Sequence, residues 1–200
     1  MVYQDKRILI TYKSLRDRHK VVKLLLRPLA LNYQNLAVIP VGRSSIEYVI
    51  AAKDNVSKSE ARYDEMRFRS VGKLRAMYYE RWCKISKGRE ELFFLDRAYL
   101  HFYMIEESLI EEKEFALLHC DPNEPDDAAH AKYKQSLHLH IECSDNSCYP
   151  HCHIWPHAHI ALNSGYLSHV LKDVDSLTLA IKEAICMLKE EVLDPLSKHM

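Results

Sequence analysis

Residues 136–143 alternate without a break: Leu137, Leu139 and Ile141 fall on one side of a two-residue period, and Ser136, His138, His140 and Glu142 on the other. That period is the pattern of a β-strand with one apolar and one polar face. Residues 156–162 repeat it, with His157 and His159 set against Ala158 and Ile160. Pro156 suits the first position of such a strand, where a missing N–H costs no ladder hydrogen bond. Two such strands close in sequence predict a small antiparallel sheet whose apolar face must be covered by another layer.

The covering layer is expected from the first half. Glycine, only four in 200 residues, is too scarce for a barrel or sandwich built on many tight turns. Leu15, His19, Val22, Leu25 and Leu26 recur at helical spacing after a Ser14 cap, and Pro28 should end or kink that helix. Ser44 or Ser45 caps a second segment over residues 46–53. From Ser57 a long amphipathic helix is predicted, carrying Met66, Val71, Leu74, Met77, Tyr78, Arg81 and Trp82 and closing at Gly88. Another helix is expected over residues 90–110, followed by a short buried strand ending at Cys120. At the C-terminus, Asp175 or Ser176 caps a helix with Leu177, Leu179, Ile181, Ala184, Ile185 and Leu188 on its apolar face, stopped by Pro195. The fold class predicted is α+β: a helical N-terminal half packed on a small antiparallel sheet, with a C-terminal helix. We read residues 1–200 as a single domain, comprising a basic helical half over 1–110 and a His/Cys-rich sheet with the terminal helix over 111–200.

Charge is divided unevenly. Residues 1–100 carry 21 lysines and arginines against 11 acids, residues 101–200 carry 7 against 17, and no arginine follows Arg97. Either the halves complement each other or the basic half faces an anionic substrate or an acidic protein partner; nucleic acid is possible but not favoured. Arg67, Arg69 and Arg75, with Arg62 and Lys73, mark the candidate anion-binding face. No apolar run is long enough to span a bilayer, and the charged N-terminus does not resemble a secretory signal, so a cytoplasmic location is expected. Cys83, Cys120 and Cys186 read as small buried side chains, although Cys120 beside His119 could also be a thiolate with a base.

Six of the twelve histidines and three of the six cysteines lie within residues 136–163. Residues i and i+2 of a strand share a face about 6.5–7 Å apart, so each His-x-His pair can converge on one ion. If the two strands pair in a register that puts both pairs on the same side, His138, His140, His157 and His159 form a metal site. Imidazole suits zinc or another divalent transition metal, and three ligands with an open position are the pattern of catalytic zinc. Glu142 is then a further ligand or the general base, with His140 and His159 in the catalytic set. The expected activity is metal-dependent hydrolysis of a phosphoester or amide bond. Alternatively, Cys143, Cys148, His151, Cys152 and His153 in the connector hold a structural zinc in a non-enzymatic adaptor module. A third possibility is metal-free phosphoesterase chemistry by histidine acid and base. Asp121, Glu124 and His130 are reserve ligands.

Three families offer comparison and none is matched. Two-histidine phosphoesterases place Thr or Ser two residues after the histidine, where this chain has His140 and His159. The histidine-triad pattern His-φ-His-φ-His is interrupted at Glu142. Cupins need glycines that are absent here.

Overall fold

The structure, a computed structural model, describes residues 7–43, 45–52, 66–68, 74–87, 90–105, 112–120, 138–141, 158–161 and 173–199. Among the described residues nine strands, all paired antiparallel, form one sheet: β1 (Leu9–Thr11), β2 (Leu36–Pro40), β3 (Glu47–Ala52), β4 (Met66–Arg67), β5 (Leu74–Lys87), β6 (Glu90–Ile105), β7 (Glu112–Cys120), β8 (His138–Ile141) and β9 (Ala158–Ala161). The strand order is β2-β3-β5-β6-β7-β8-β9, with β1 pairing along β6 and β4 along β5. Helices α1 (Tyr12–Leu26) and α2 (Val174–Leu188) cover one side, and a short α3 (Asp194–His199) follows α2 through a wide π turn.

This overturns the predicted helical N-terminal half. Among the described residues that half holds one α-helix, α1, and its other expected helices are β3, β4, β5 and β6. The physical reason lies in β5 and β6. In β5, Ala76, Tyr78, Glu80 and Trp82 are buried while Arg75, Met77, Tyr79 and Arg81 are only half-buried, a strict two-residue period. That period is masked in the sequence because its buried row contains a glutamate and its other row contains methionine and tyrosine. In β6 the buried residues are Phe93, Leu95, Ala98 and Leu100. A bulge at Asp96, between the Leu95–Trp82 and Arg97–Arg81 pairs, shifts the parity and gives the apolar residues a spacing that imitates a helix.

Helix α1 begins one turn earlier than its expected cap. Thr11 is the N-cap, its hydroxyl accepting from the Ser14 N–H at 3.2 Å, and Leu15, Arg18, Val22 and Leu26 form the buried stripe. Pro28 lies just beyond the helix end, as its sequence position predicts. Helix α2 is likewise capped upstream of Asp175 and Ser176. Asp173 accepts from the Ser176 N–H at 2.8 Å and the Ser176 hydroxyl oxygen accepts from the Asp173 N–H at 3.0 Å, a capping box. Pro195 does not stop α2; it sits in the first turn of α3, where proline's fixed φ is welcome. Replacing Asp173 with alanine is expected to cost about 1 kcal/mol, read as a lower denaturant midpoint with an unchanged slope.

The core between helices and sheet joins Leu15, Val22 and Leu26 of α1 and Leu177, Ile181 and Ile185 of α2 to Tyr78, Trp82, Phe93 and Leu95 of the sheet. Inside it lies a buried ion pair: Arg18 is 2% and Glu80 0% exposed. Arg18 Nη2 meets Glu80 Oε1 at 2.8 Å, and Arg18 Nε lies 3.1 Å from Oε2. Tyr78 Oη and Trp82 Nε1 also donate to this carboxylate, and Arg18 Nη1 donates to Thr178 of α2. Burial alone would lower the Arg18 pKa, but the Glu80 charge outweighs it and holds the guanidinium charged. Burial, with the Glu80 charge behind it, raises the Tyr78 phenol well above its ordinary value, so it donates as a neutral hydroxyl. One carboxylate therefore ties α1 to β5, and through Arg18 to α2.

No helix among the described residues is long and apolar enough to cross a membrane.

Candidate metal centre on the sheet face

Antiparallel pairing fixes which residues share a face, because residues directly opposite one another lie on the same side of the pleat. Following the register from β5 to β9 gives one crosswise row of Tyr79, Tyr99, His119, His138 and Ala161. The adjacent row is Met77, His101, Leu117, His140 and His159. Both rows lie on the side away from the helices, since the intervening row starts with Tyr78 and Leu100, which belong to the core.

The pairing of β8 with β9 sets His140 directly opposite His159, with His138 two residues along on the same face. Neighbouring strands are about 4.8 Å apart, and i, i+2 neighbours about 6.5–7 Å. The sheet adds a residue the strand pattern alone does not offer. His119 of β7 stands opposite His138, so four histidine positions from three adjacent strands form one contiguous patch. His101 lies in the His140 row, separated from it by Leu117. The signal for His119 was present in "FALLHC", a strand by its own pattern, but its place beside His138 depends on strand order, which no local period encodes. His101 was hidden inside the segment that imitates a helix.

Among the described residues no group of three or more His, Cys, Asp or Glu side chains is arranged around a metal position; the histidine patch is one of backbone register. His157 and Glu142 lie outside the described residues, as do Cys143, Cys148, His151, Cys152 and His153 and the reserve ligands Asp121, Glu124 and His130.

Along the same face the patch gives way to aromatic and basic residues. The Tyr79 and Tyr99 rings stack with centroids 6.0 Å apart, Tyr99 and His101 are 5.2 Å apart, and the Arg97 guanidinium lies 5.8 Å from the Tyr99 ring centre. Arg67 and Arg75, two of the three arginines expected to hold an anion, are direct partners across β4 and β5, on this same face. Arg69 lies outside the described residues. Further along, Arg81 is engaged by Glu47 at 2.8 Å and Arg97 by Asp96 at 2.8 Å. These two arginines are thus answered by acids of the N-terminal half itself.

The cysteines fit nucleophilic roles poorly. Cys120 pairs with Ala98 on the core side, whereas His119 occupies the opposite face, so the strand separates the thiol position from its expected base. Cys83 is half-buried, and burial, with the carboxylates of Asp96 and Glu47, pushes its thiol up. Cys186 is exposed on α2, contrary to its expected burial.

Compared with known proteins, the chain matches no family model, no curated sequence and no solved structure.

Proposed function

We propose that the protein binds a divalent transition metal, zinc by default, on the β7–β9 face and acts as a metal-dependent hydrolase. The observation that carries this proposal is the β8–β9 register, with His140 opposite His159 and His138 and His119 alongside. Tetrahedral zinc with 2.0–2.1 Å bonds to imidazole sets its donor nitrogens about 3.3 Å apart. Facing and i, i+2 histidines are the strand positions from which imidazoles can reach that separation. Three such ligands would leave one position for water, whose pKa a bound zinc lowers towards 7.

His138, His140, His157 and His159 are the ligand set we propose, joined by His119. Glu142 continues the two-residue period beyond β8 and is proposed as general base or further ligand, with His140 and His159 completing the catalytic set. Arg67 and Arg75, with Arg69 from the same segment, would hold the anionic end of a substrate. Three strand spacings separate β5 from β8, roughly 14 Å, so a substrate that reaches both would be larger than a simple monoester. Side-by-side arginines on the same face favour a phosphoester over an amide, because guanidinium forks match phosphate oxygens.

Hydrolysis of an aryl phosphodiester by zinc-loaded protein should fall to background with chelator and return on adding zinc. Hydrolysis that persists at full rate after chelation would remove the metal from the chemistry.

A further inference from the structure

On the helix-bearing side of the sheet, α1 and β2 enclose an open groove of about 880 Å³. Strand β2 is the first in the sheet order and pairs only with β3 among the described strands, so α1 forms the opposite wall. Arg16, His19 and Lys23 stand at i, i+3 and i+7 along α1, a spacing that aligns side chains on one helix face, and all three line the groove. Among the described residues its lining contains no aspartate or glutamate. Asp17, on an adjoining surface, is held by Lys20 at 2.6 Å, which lowers its pKa through that hydrogen bond. The His19 Nδ1–H donates to the Arg16 carbonyl at 2.7 Å, which fixes the ring against α1. Neither Arg16 nor Lys23 has an ion-pair partner among the described residues. Two cationic side chains and a histidine thus line a groove whose described walls carry no acidic residue, while the buried charges of Arg18 and Glu80 answer each other.

We infer that this groove binds the phosphate group of a small organic phosphate, of the size of a nucleoside monophosphate. Arg16 and Lys23 meet the phosphate oxygens: the guanidinium can donate two parallel hydrogen bonds and the ammonium adds a point charge. The organic part is called for by the rest of the wall. Tyr12 and Tyr48, with ring centroids 5.7 Å apart, close one side, and Leu36 and Val38 give an apolar floor that inorganic phosphate would leave uncovered. The volume falls within the range of small-molecule sites. This site is independent of the proposed metal centre, from which the sheet itself separates it.

Calorimetric titration with adenosine monophosphate, adenosine and inorganic phosphate tests the inference. The wild-type protein should bind the monophosphate saturably below about 1 mM, more tightly than either fragment alone. An Arg16→Gln/Lys23→Gln variant should weaken it at least about ten-fold, because two charge-assisted bonds are removed. These residues make no described ion pairs, so the variant should retain the wild-type circular dichroism spectrum and melting curve. Lys13→Gln, which does not line the groove, should leave binding unchanged. The inference is overturned if the monophosphate shows no saturable binding, if the double variant binds as well as wild type, if Lys13→Gln weakens binding equally, or if adenosine or phosphate alone binds as tightly.

Discussion

Arg18→Met is expected to lower the unfolding free energy by about 3–5 kcal/mol, much of the total margin of a typical domain. The cause is not the lost attraction but what it leaves behind. Glu80 would remain fully buried with its charge answered only by the Tyr78 hydroxyl and the Trp82 indole N–H. Thr178 would lose the donor that links α1 to α2. A double variant, Arg18→Met/Glu80→Gln, removes both charges and should cost clearly less than the sum of its single changes, as coupling through one network requires. Denaturant midpoints of the four proteins supply the cycle. A cost below about 1 kcal/mol for Arg18→Met would contradict the burial and pairing described for the network.

The second large effect concerns the histidine face. His140→Ala with His159→Ala should weaken zinc binding by at least about 100-fold, since loss of second-shell partners alone typically costs 10–100-fold. The same variant should keep the fold, because the register places both positions on the face opposite the Tyr78 and Leu100 row, away from the helices. His119→Ala should also weaken binding if β7 contributes a ligand, a result the His-x-His pairs alone would not foretell. Ligating imidazoles must be neutral, so protons compete with zinc for the ligand nitrogens and zinc should be released on acidification.

Strands β8 and β9 are legible in the sequence because their alternation is unbroken, and α1 and α2 because their apolar residues recur at helical spacing, although both are capped by residues upstream of those expected, Thr11 and Asp173. Strands β5 and β6 are not. Glu80 sits in the buried row of β5, so polarity there contradicts burial, and only its pairing with Arg18, 62 residues away, resolves the conflict. Asp96 adds one residue to β6 and breaks the period that would reveal it. Both failures come from tertiary structure overriding a local pattern, through a buried ion pair and a bulge. The histidine motifs were visible as motifs, whereas their neighbour His119 became visible only with the strand order. The basic groove was less visible still, since His19 falls on the apolar stripe expected of α1 and Arg16 and Lys23 form no motif until β2 supplies the opposite wall.

Elemental analysis of tag-free protein after zinc loading and exhaustive dialysis, for wild type and for His140→Ala/His159→Ala, addresses the metal centre most directly. About one equivalent of zinc in the wild type, absent from a variant with an unchanged circular dichroism spectrum, is the expected result. A wild type that retains no metal would contradict the proposal. So would a variant that retains a full equivalent, because the ion would then lie elsewhere in the chain.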